Sequence, residues 1–320
     1  MRKLLLDVLA CPLNPQHPLS PLQGFDGDRI VDGSLRCPAC GLTFPVRQGV
    51  PILLPPGPDA SEEPDELDRL RAHKRQQAGY FDDKVQAEFE VVRPHGAPLA
   101  YQRLMAEKFR RSVASLPPLA GATVLDACCG SGMDAEFLAR EGAKVIALDI
   151  SEGCASRARV RAQRYGLDYQ VVVGDVEHLP IRTAAVDIGY VHDGLHHLDE
   201  PALGLRELAR AARCAVSVNE PADALGTQVA VRLGISSNRE SAGNRVARLD
   251  PKDVCRELEL AGFRARARRY LMYYKHEPGR VMRFASRPGV YDLYRWAMEI
   301  ANLGIGRWGN KLQVTAVRTD

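Results

Sequence analysis

Thr123-Val124-Leu125-Asp126-Ala127-Cys128-Cys129-Gly130-Ser131-Gly132-Met133-Asp134 is the stretch that decides the fold of this chain. A short apolar run ends in a carboxylate. Two glycines follow with one residue between them, and a helix-like segment, 135–140, comes next. This is a strand, a tight glycine turn and a helix start, the layout that lets a nucleotide-like ligand lie against bare backbone.

Outward from this turn, strands and helices alternate. Residues 145–150, 169–173, 186–191 and 214–219 read as buried strands, and 264–274 and 311–318 as two further ones. Ser151 is an N-cap candidate and Gly166 a helix stop; Asp199 with Pro201, and Asp250 with Pro251, open two later helices. Strands separated by helices imply crossover connections. The expected fold is α/β, a doubly wound, mainly parallel, seven-stranded Rossmann-like sheet, preceded by a small β-rich ribbon.

In such a sheet ligands bind outside the carboxyl ends of the strands. Asp126, Asp149 and Asp175 all fall at that edge, after the first, second and third strands. Asp149 is placed to accept hydrogen bonds from ribose hydroxyls, and Asp175 can reach an adenine amino group. A dinucleotide site shares part of this pattern, but a carboxylate at Asp126 would repel a pyrophosphate. It suits a cationic sulfonium ligand carrying an ammonium group, which favours S-adenosylmethionine over NAD.

Residues 122–219 resemble the class I S-adenosylmethionine-dependent methyltransferases of the small-molecule branch. The resemblance rests on four segments: the 124–132 turn, Ala147-Leu148-Asp149-Ile150-Ser151, Gly174-Asp175-Val176-Glu177-His178-Leu179-Pro180, and Val186-Asp187-Ile188 with Gly194-Leu195-His196-His197-Leu198. It implies contacts to the methionine part at Asp126, Gly130 and Gly132, to the ribose at Asp149 beside Ile150, and to the adenine at Asp175 and Val176. Tyr80, in Tyr80-Phe81-Asp82, is a candidate for closing over the cofactor. The adjacent Cys128 and Cys129 are expected to pack in the core, because neighbouring cysteines make a strained disulfide.

The first 54 residues resemble the small zinc-ribbon family whose members activate RNA and protein methyltransferases. Cys11-Pro12, Cys37-Pro38-Ala39-Cys40 and Gly49-Val50-Pro51-Ile52-Leu53-Leu54 carry the resemblance. A structural zinc site wants four ligands, commonly two Cys-x-x-Cys knuckles. Cys37 and Cys40 form one; in the other, Asn14 stands where the second thiol would be. Cys11, Cys37 and Cys40 are therefore candidate metal ligands, zinc is a candidate second cofactor, and the ribbon is expected to dock in cis on the catalytic domain.

The acceptor must come from later strand ends. His192 is the candidate base and also a cofactor neighbour, and His196 is a second catalytic candidate. Asn219, Glu220, Arg239, Tyr273, Tyr274 and His276 are candidate substrate contacts. Trp296 and Trp308, in an apolar tail, are expected to line a pocket or pack the lid. The expected organisation is a ribbon over 1–58, a helical linker or lid over 59–118, and a methyltransferase domain over 119–320 with a cap insert at about 221–249.

Bulk properties constrain partners. Forty-three basic residues nearly balance forty acidic ones, a net charge of +3. That balance argues neither for nor against a particular partner, although strong nucleic-acid binders usually show a larger basic excess. The alternating Arg264, Arg266 and Arg268 fit a protected sheet edge better than a nucleic-acid surface, so a nucleic-acid partner is not expected. No apolar run approaches about 18 residues, so no membrane partner is expected. Eight cysteines without a disulfide-like spacing fit the cytoplasm. The expected activity is methyl transfer to an O or N atom of a small molecule, such as a natural-product or sugar-like intermediate. The alternatives are an RNA or protein methyltransferase and a non-catalytic cofactor-binding scaffold.

Overall fold

Short strands separated by proline and glycine turns build the first part of the chain. They are β1 (Ala10–Cys11), β2 (Asn14–Pro18), β3 (Ser20–Pro21), β4 (Gly33–Arg36), β5 (Thr43–Arg47) and β6 (Val50–Leu53). The structure, a computed structural model, describes residues 1–22, 26–55, 74, 78–79, 82, 87–222, 224, 249–273 and 279–319. Helices α1 (Ala87–Val92) and α2 (Leu99–Val113) follow, with Pro94 and Pro98 between them.

The alternating part then runs β7 (Thr123–Ala127), α3 (Met133–Arg140), β8 (Lys144–Asp149), α4 (Glu152–Arg164), β9 (Gln170–Gly174), β10 (Val186–His192), α5 (Pro201–Ala211) and β11 (Ala212–Pro221). It continues through α6 (Pro251–Leu260), β12 (Phe263–Tyr270), α7 (Arg280–Ala285), α8 (Val290–Ile305) and β13 (Lys311–Arg318). Ser151 and Asp250 cap α4 and α6 as expected, accepting from the amides of Cys154 and Lys252.

The large sheet has the order β12-β13-β11-β10-β7-β8-β9-β6-β5-β4-β3. Strands β7 to β13 are the seven expected ones; β13 alone among them runs antiparallel to its neighbours. The ribbon strands extend the sheet, because β6 pairs in parallel with β9 through Ile52↔Val173 and Leu53↔Gly174. The chain leaves β7 toward β8 and β9, then returns to β10 and β11 on the other side. The strand order therefore reverses between β7 and β10, where a doubly wound sheet opens its ligand crevice.

Alternation along β7 sends Val124 to one face and Leu125 and Ala127 to the other. The Leu125 face packs with Leu148, Val172, Leu208 and the ribbon residues Leu5, Leu9, Leu35 and Leu53 in one continuous core. Each of those ribbon leucines is fully buried, a contribution of about 1.5–3 kcal/mol apiece. Polar ties reinforce the junction: Ala10 donates to the Pro180 carbonyl at 2.9 Å, and the Arg182 guanidinium donates to the carbonyls of Leu9 and Leu6.

Two expectations change. Strand β12 stops at Tyr270, because the next two amides, of Leu271 and Met272, are taken by the Asn302 and Asn310 side chains. Trp296 and Trp308 neither line a pocket nor pack inward: they are 60% and 48% exposed. The alternating arginines do lie on the edge strand, β12.

Candidate cofactor and acceptor site

The glycine turn between β7 and α3 folds as its residues require. Cys128, Gly130 and Gly132 all have positive φ, at 55°, 53° and 77°. A Cβ on Gly132 would stand 2.8 Å from the Tyr169 hydroxyl and 3.2 Å from the Ala158 Cα, so the helix behind the turn leaves no room for a side chain. A Cβ on Gly130 would meet nothing within 4 Å. One glycine is needed for packing; the other leaves bare backbone beside open space.

Asp126 ends β7 and is 2% exposed. Its Oδ2 is buried with no hydrogen-bond partner. Burial, then the nearby Asp134 and Asp149 carboxylates, push its carboxyl well above the usual range. A buried acid with one unpaired oxygen, flanked by two other acids, suits a cation. Asp149, at the end of β8, accepts the amides of Gly130 at 2.8 Å and Ser151 at 3.0 Å, which ties the second strand end to the glycine turn. Asp82 reaches the same place, accepting from the Ser151 hydroxyl at 2.6 Å and the Gly153 amide at 2.7 Å. Asp175 accepts the Glu177 amide at 2.9 Å and the Lys74 ammonium at 2.7 Å, and Lys74 also pairs with Glu177. Val176 is buried beside them and Ile150 is half-buried after Asp149.

These residues fit S-adenosylmethionine. The unpaired Oδ2 of Asp126 suits the ammonium and sulfonium charges, the bare Gly130 backbone suits close approach, and the acids at the ends of β8 and β9 suit a ribose and an amino-purine.

Beyond the turn, the first turn of α3 carries Asp134, which the sequence reading passed over. Its Oδ2 lies 2.8 Å from His192 Nδ1 at the end of β10. Burial would raise the Asp134 carboxyl, but the adjoining His192 ring, its hydrogen bond and Lys108 outweigh that and hold it below its usual value. His192 Nε2 is buried and has no partner. The next residue, Asp193, has φ 50°, a left-handed conformation unusual for a side-chain-bearing residue. It binds Lys108 from α2 and Lys311 from β13, the latter at 2.9 Å. Burial acts to raise its carboxyl, yet the two ammonium groups drive it well below the ordinary range. Burial, only partly opposed by Asp193, lowers Lys108.

Several candidates are engaged in buried hydrogen bonds. His196 Nδ1 contacts Glu220 Oε2 at 2.7 Å, while Glu220 Oε1 accepts the amides of Gly194 and Leu195 at 2.9 and 2.8 Å. Both side chains are buried. Asn219 is fully buried and bonded to the Tyr270 hydroxyl at 3.0 Å. Tyr273 is 52% exposed, its carbonyl taken by the Tyr294 hydroxyl. Tyr80, Arg239, Tyr274 and His276 lie outside the described residues.

Lys108 had a signal that could have been read. It falls on the buried stripe of α2 with Tyr101, Leu104, Met105 and Phe109, and a charge on an apolar stripe needs a partner. Nothing local marks Lys311 or pairs Asp134 with His192.

In the ribbon, the sulfur atoms of Cys11, Cys37 and Cys40 lie within 4.8 Å of one another, with Cys11 and Cys40 3.7 Å apart. Four thiolates around zinc at about 2.3 Å would be spaced by about 3.8 Å, so the three sulfurs fit three corners of a tetrahedron. Asn14 is the cross-strand partner of Cys11, but its side-chain oxygen accepts the Gln16 amide. His17 is not part of the cluster.

Comparison with known proteins agrees with this geometry. Residues 124–214 match a family model described as a methyltransferase domain, and residues 2–49 match one described as Trm112p-like protein. A malonyl-[acyl-carrier protein] O-methyltransferase of Pectobacterium atrosepticum is 33% identical over 115 residues, 35% of this chain and 43% of the relative. A demethylmenaquinone methyltransferase of Thermobifida fusca is 35% identical over 106 residues, 32% of this chain and 44% of the relative. The chain thus spans less than half the length of these curated relatives. In fold, it is similar to the magnesium protoporphyrin IX methyltransferase ChlM of Synechocystis PCC 6803, with TM-score 0.53 and 20% identity, covering 77% of this chain and all of that one. Residues 124–214, which hold the strand-end acids and the glycine turn, thus resemble a class I S-adenosylmethionine-dependent methyltransferase domain in sequence and in fold. The Trm112p-like match lies ahead of it in the chain.

Proposed function

We propose that the protein transfers the methyl group of S-adenosylmethionine to an O or N atom of a small molecule. The observation that carries the donor is the buried, unpaired Oδ2 of Asp126, with Asp134 and Asp149 nearby, beside the open Gly130 backbone. When bound, the donor supplies an electrophilic methyl group on a sulfonium centre. The chain's own task is to hold the acceptor in line and to manage its proton.

His192 is suited to take that proton. A neutral ring that donates from Nδ1 to Asp134 leaves Nε2 as the acceptor, and Nε2 is the atom without a partner. Asp134 fixes the tautomer and stabilises the charged ring once the proton arrives, the division of labour of an Asp–His pair. His196, bound to Glu220, acts as a positioning residue that holds the 194–196 turn against β11. Catalysis does not run through it.

Matched relatives are named for a carrier-protein ester and for a quinone precursor, so the acceptor is set by parts that vary between them. The parallel β6–β9 pairing and the shared core support a ribbon that acts in cis as a built-in stabiliser of the catalytic domain. The eight free thiols suit a reducing cytoplasm.

Calorimetry with S-adenosylmethionine tests the donor. Wild type should bind and Asp149→Ala should not; equal binding by both would defeat the reading. Methyl transfer from labelled donor into small-molecule extract fractions tests the rest. Label appearing only in RNA or protein would instead support the RNA or protein alternative, and binding without product in any fraction a scaffold.

A further inference from the structure

Helix α8 is apolar on two opposite faces. Its inner side, with Tyr291, Tyr294 and Met298, packs toward α2 and α7. Its outer side carries Leu293, Trp296, Ile300 and Leu303, which are 64%, 60%, 48% and 89% exposed. Spacings of three, four and three residues place them in one stripe. A surface helix normally turns charged residues to this side, and a helix apolar all round is normally covered. Phe284 on α7 and Trp308 just after α8 add two more exposed rings, so both tryptophans of the chain face outward.

The charges in this region have one dominant sign. Arg280, Arg283, Arg287, Arg295 and Arg307 are all exposed, opposed only by Asp292 and Glu299 between residues 279 and 308. Arg307 lies 3.9 Å over the Trp308 ring and Arg287 5.1 Å from the Phe284 ring. Aromatic and aliphatic side chains interspersed with guanidinium groups match the boundary between acyl chains and anionic headgroups. A second copy of the chain fits less well, because a two-fold contact is self-facing and would set the arginines against one another.

The inner side of α8 is bound to the segment that follows the carboxyl end of β12. The Tyr294 hydroxyl donates to the Tyr273 carbonyl at 2.9 Å, and Asn302 bonds both the amide and the carbonyl of Leu271. Those residues directly follow Tyr270, whose hydroxyl meets Asn219. The stripe therefore sits at the carboxyl edge of the sheet.

We propose that the outer face of α7 and α8 docks the protein on the surface of an anionic lipid bilayer, without crossing it. No helix among the described residues is long and apolar enough to span a membrane. The expectation of no membrane partner rested on that point alone, and a surface contact does not need a span. The proposal is independent of the methyl-transfer reading.

The test is sedimentation of the full chain with vesicles of phosphatidylcholine alone or with about 30% phosphatidylglycerol, at low and high salt, alongside tryptophan emission. Trp296 lies in the stripe and Trp308 is exposed just beyond it, so tryptophan emission reports on this region. Binding to the anionic vesicles, a blue shift and weakening at high salt are expected. Trp296→Gln/Leu303→Glu should bind about tenfold more weakly, and Arg283→Glu/Arg287→Glu should lose the preference for anionic vesicles. Both variants change exposed positions, and unaltered S-adenosylmethionine calorimetry shows that they fold; that same measurement keeps a docking failure separate from a failure of the cofactor reading. The proposal is overturned if neither vesicle is bound or if both variants bind like wild type. It is also overturned if the chain forms a dimer that Leu303→Glu dissociates, which assigns the face to a second copy.

Discussion

Asp134 Oδ2 lies 2.8 Å from His192 Nδ1, joining the first turn of one helix to the end of a strand, and it leaves His192 Nε2 as the unpaired atom. This contact assigns the ring its tautomer. Labelled-histidine NMR should show His192 protonated at Nδ1, with the preference lost in Asp134→Asn. Once the acceptor is in hand, His192→Asn should lower kcat by about 10²–10⁴ with little change in donor binding. A rate unaffected by His192→Asn would remove the residue from the chemistry.

Asp126 should trade stability for ligand. Its carboxyl is raised by burial and by Asp134 and Asp149. A raised acid costs stability increasingly as pH climbs from the unfolded value, about 3.9, toward the folded one, and in full beyond it. Asp126→Asn should therefore raise the melting temperature of the free protein at alkaline pH. It should also erase most of the stabilisation by S-adenosylmethionine. Thermal unfolding with and without the donor measures both, and a variant still stabilised like wild type would contradict the role given to Asp126.

Asp193 has the opposite sign. Burial acts to raise its carboxyl, but Lys108 and Lys311 depress it, so its contribution is present above about pH 3.9 and is lost as pH falls through the lower folded value. Asp193→Asn leaves Lys108 buried without its carboxylate and should cost about 3–5 kcal/mol in urea unfolding at pH 7. The loss should shrink when Lys108→Met is added. Additive losses would mean that the pair is not coupled.

Gly132→Ala should destabilise by more than the about 1–2 kcal/mol of a left-handed alanine, because the new methyl also meets the Ala158 backbone and the Tyr169 hydroxyl. Gly130→Ala meets no atom. It should fold at the cost of the backbone strain alone, yet bind the donor poorly. Denaturant melts and calorimetry separate the two; equal effects on folding would refute the distinction.

The ribbon thiols should hold about one zinc ion per chain, measured by metal analysis of the purified protein. Cys37→Ser should lose the metal and lower the melting temperature, because Cys37 is buried in the core shared with the sheet. Metal-free wild type with an unchanged melting temperature would show that packing alone holds the ribbon.

Much of this was legible in sequence because it depends on local pattern. The apolar runs, the capping residues Ser151 and Asp250, and the glycine turn each report on neighbours a few residues away. They were enough for the seven strands, the strand-end acids Asp126, Asp149 and Asp175, and the three ribbon cysteines. Where a strand ends was less legible: β12 stops at Tyr270 because Asn302 and Asn310, far along the chain, capture the next two amides. The apolar tail misled, since an apolar stripe looks the same whether it turns inward or outward. On α8 it does both.

The sequence by itself determined the α/β alternation and the donor edge, because periodicity and turn chemistry are properties of short stretches. Only the tertiary structure decided which charged groups meet. Lys108 and Lys311 stand 85 and 118 residues from Asp193, and His196 stands 24 from Glu220. Such pairs form where sheet order and helix packing bring strand ends together. No local pattern encodes that distance, yet a buried charge left without such a pairing is costly.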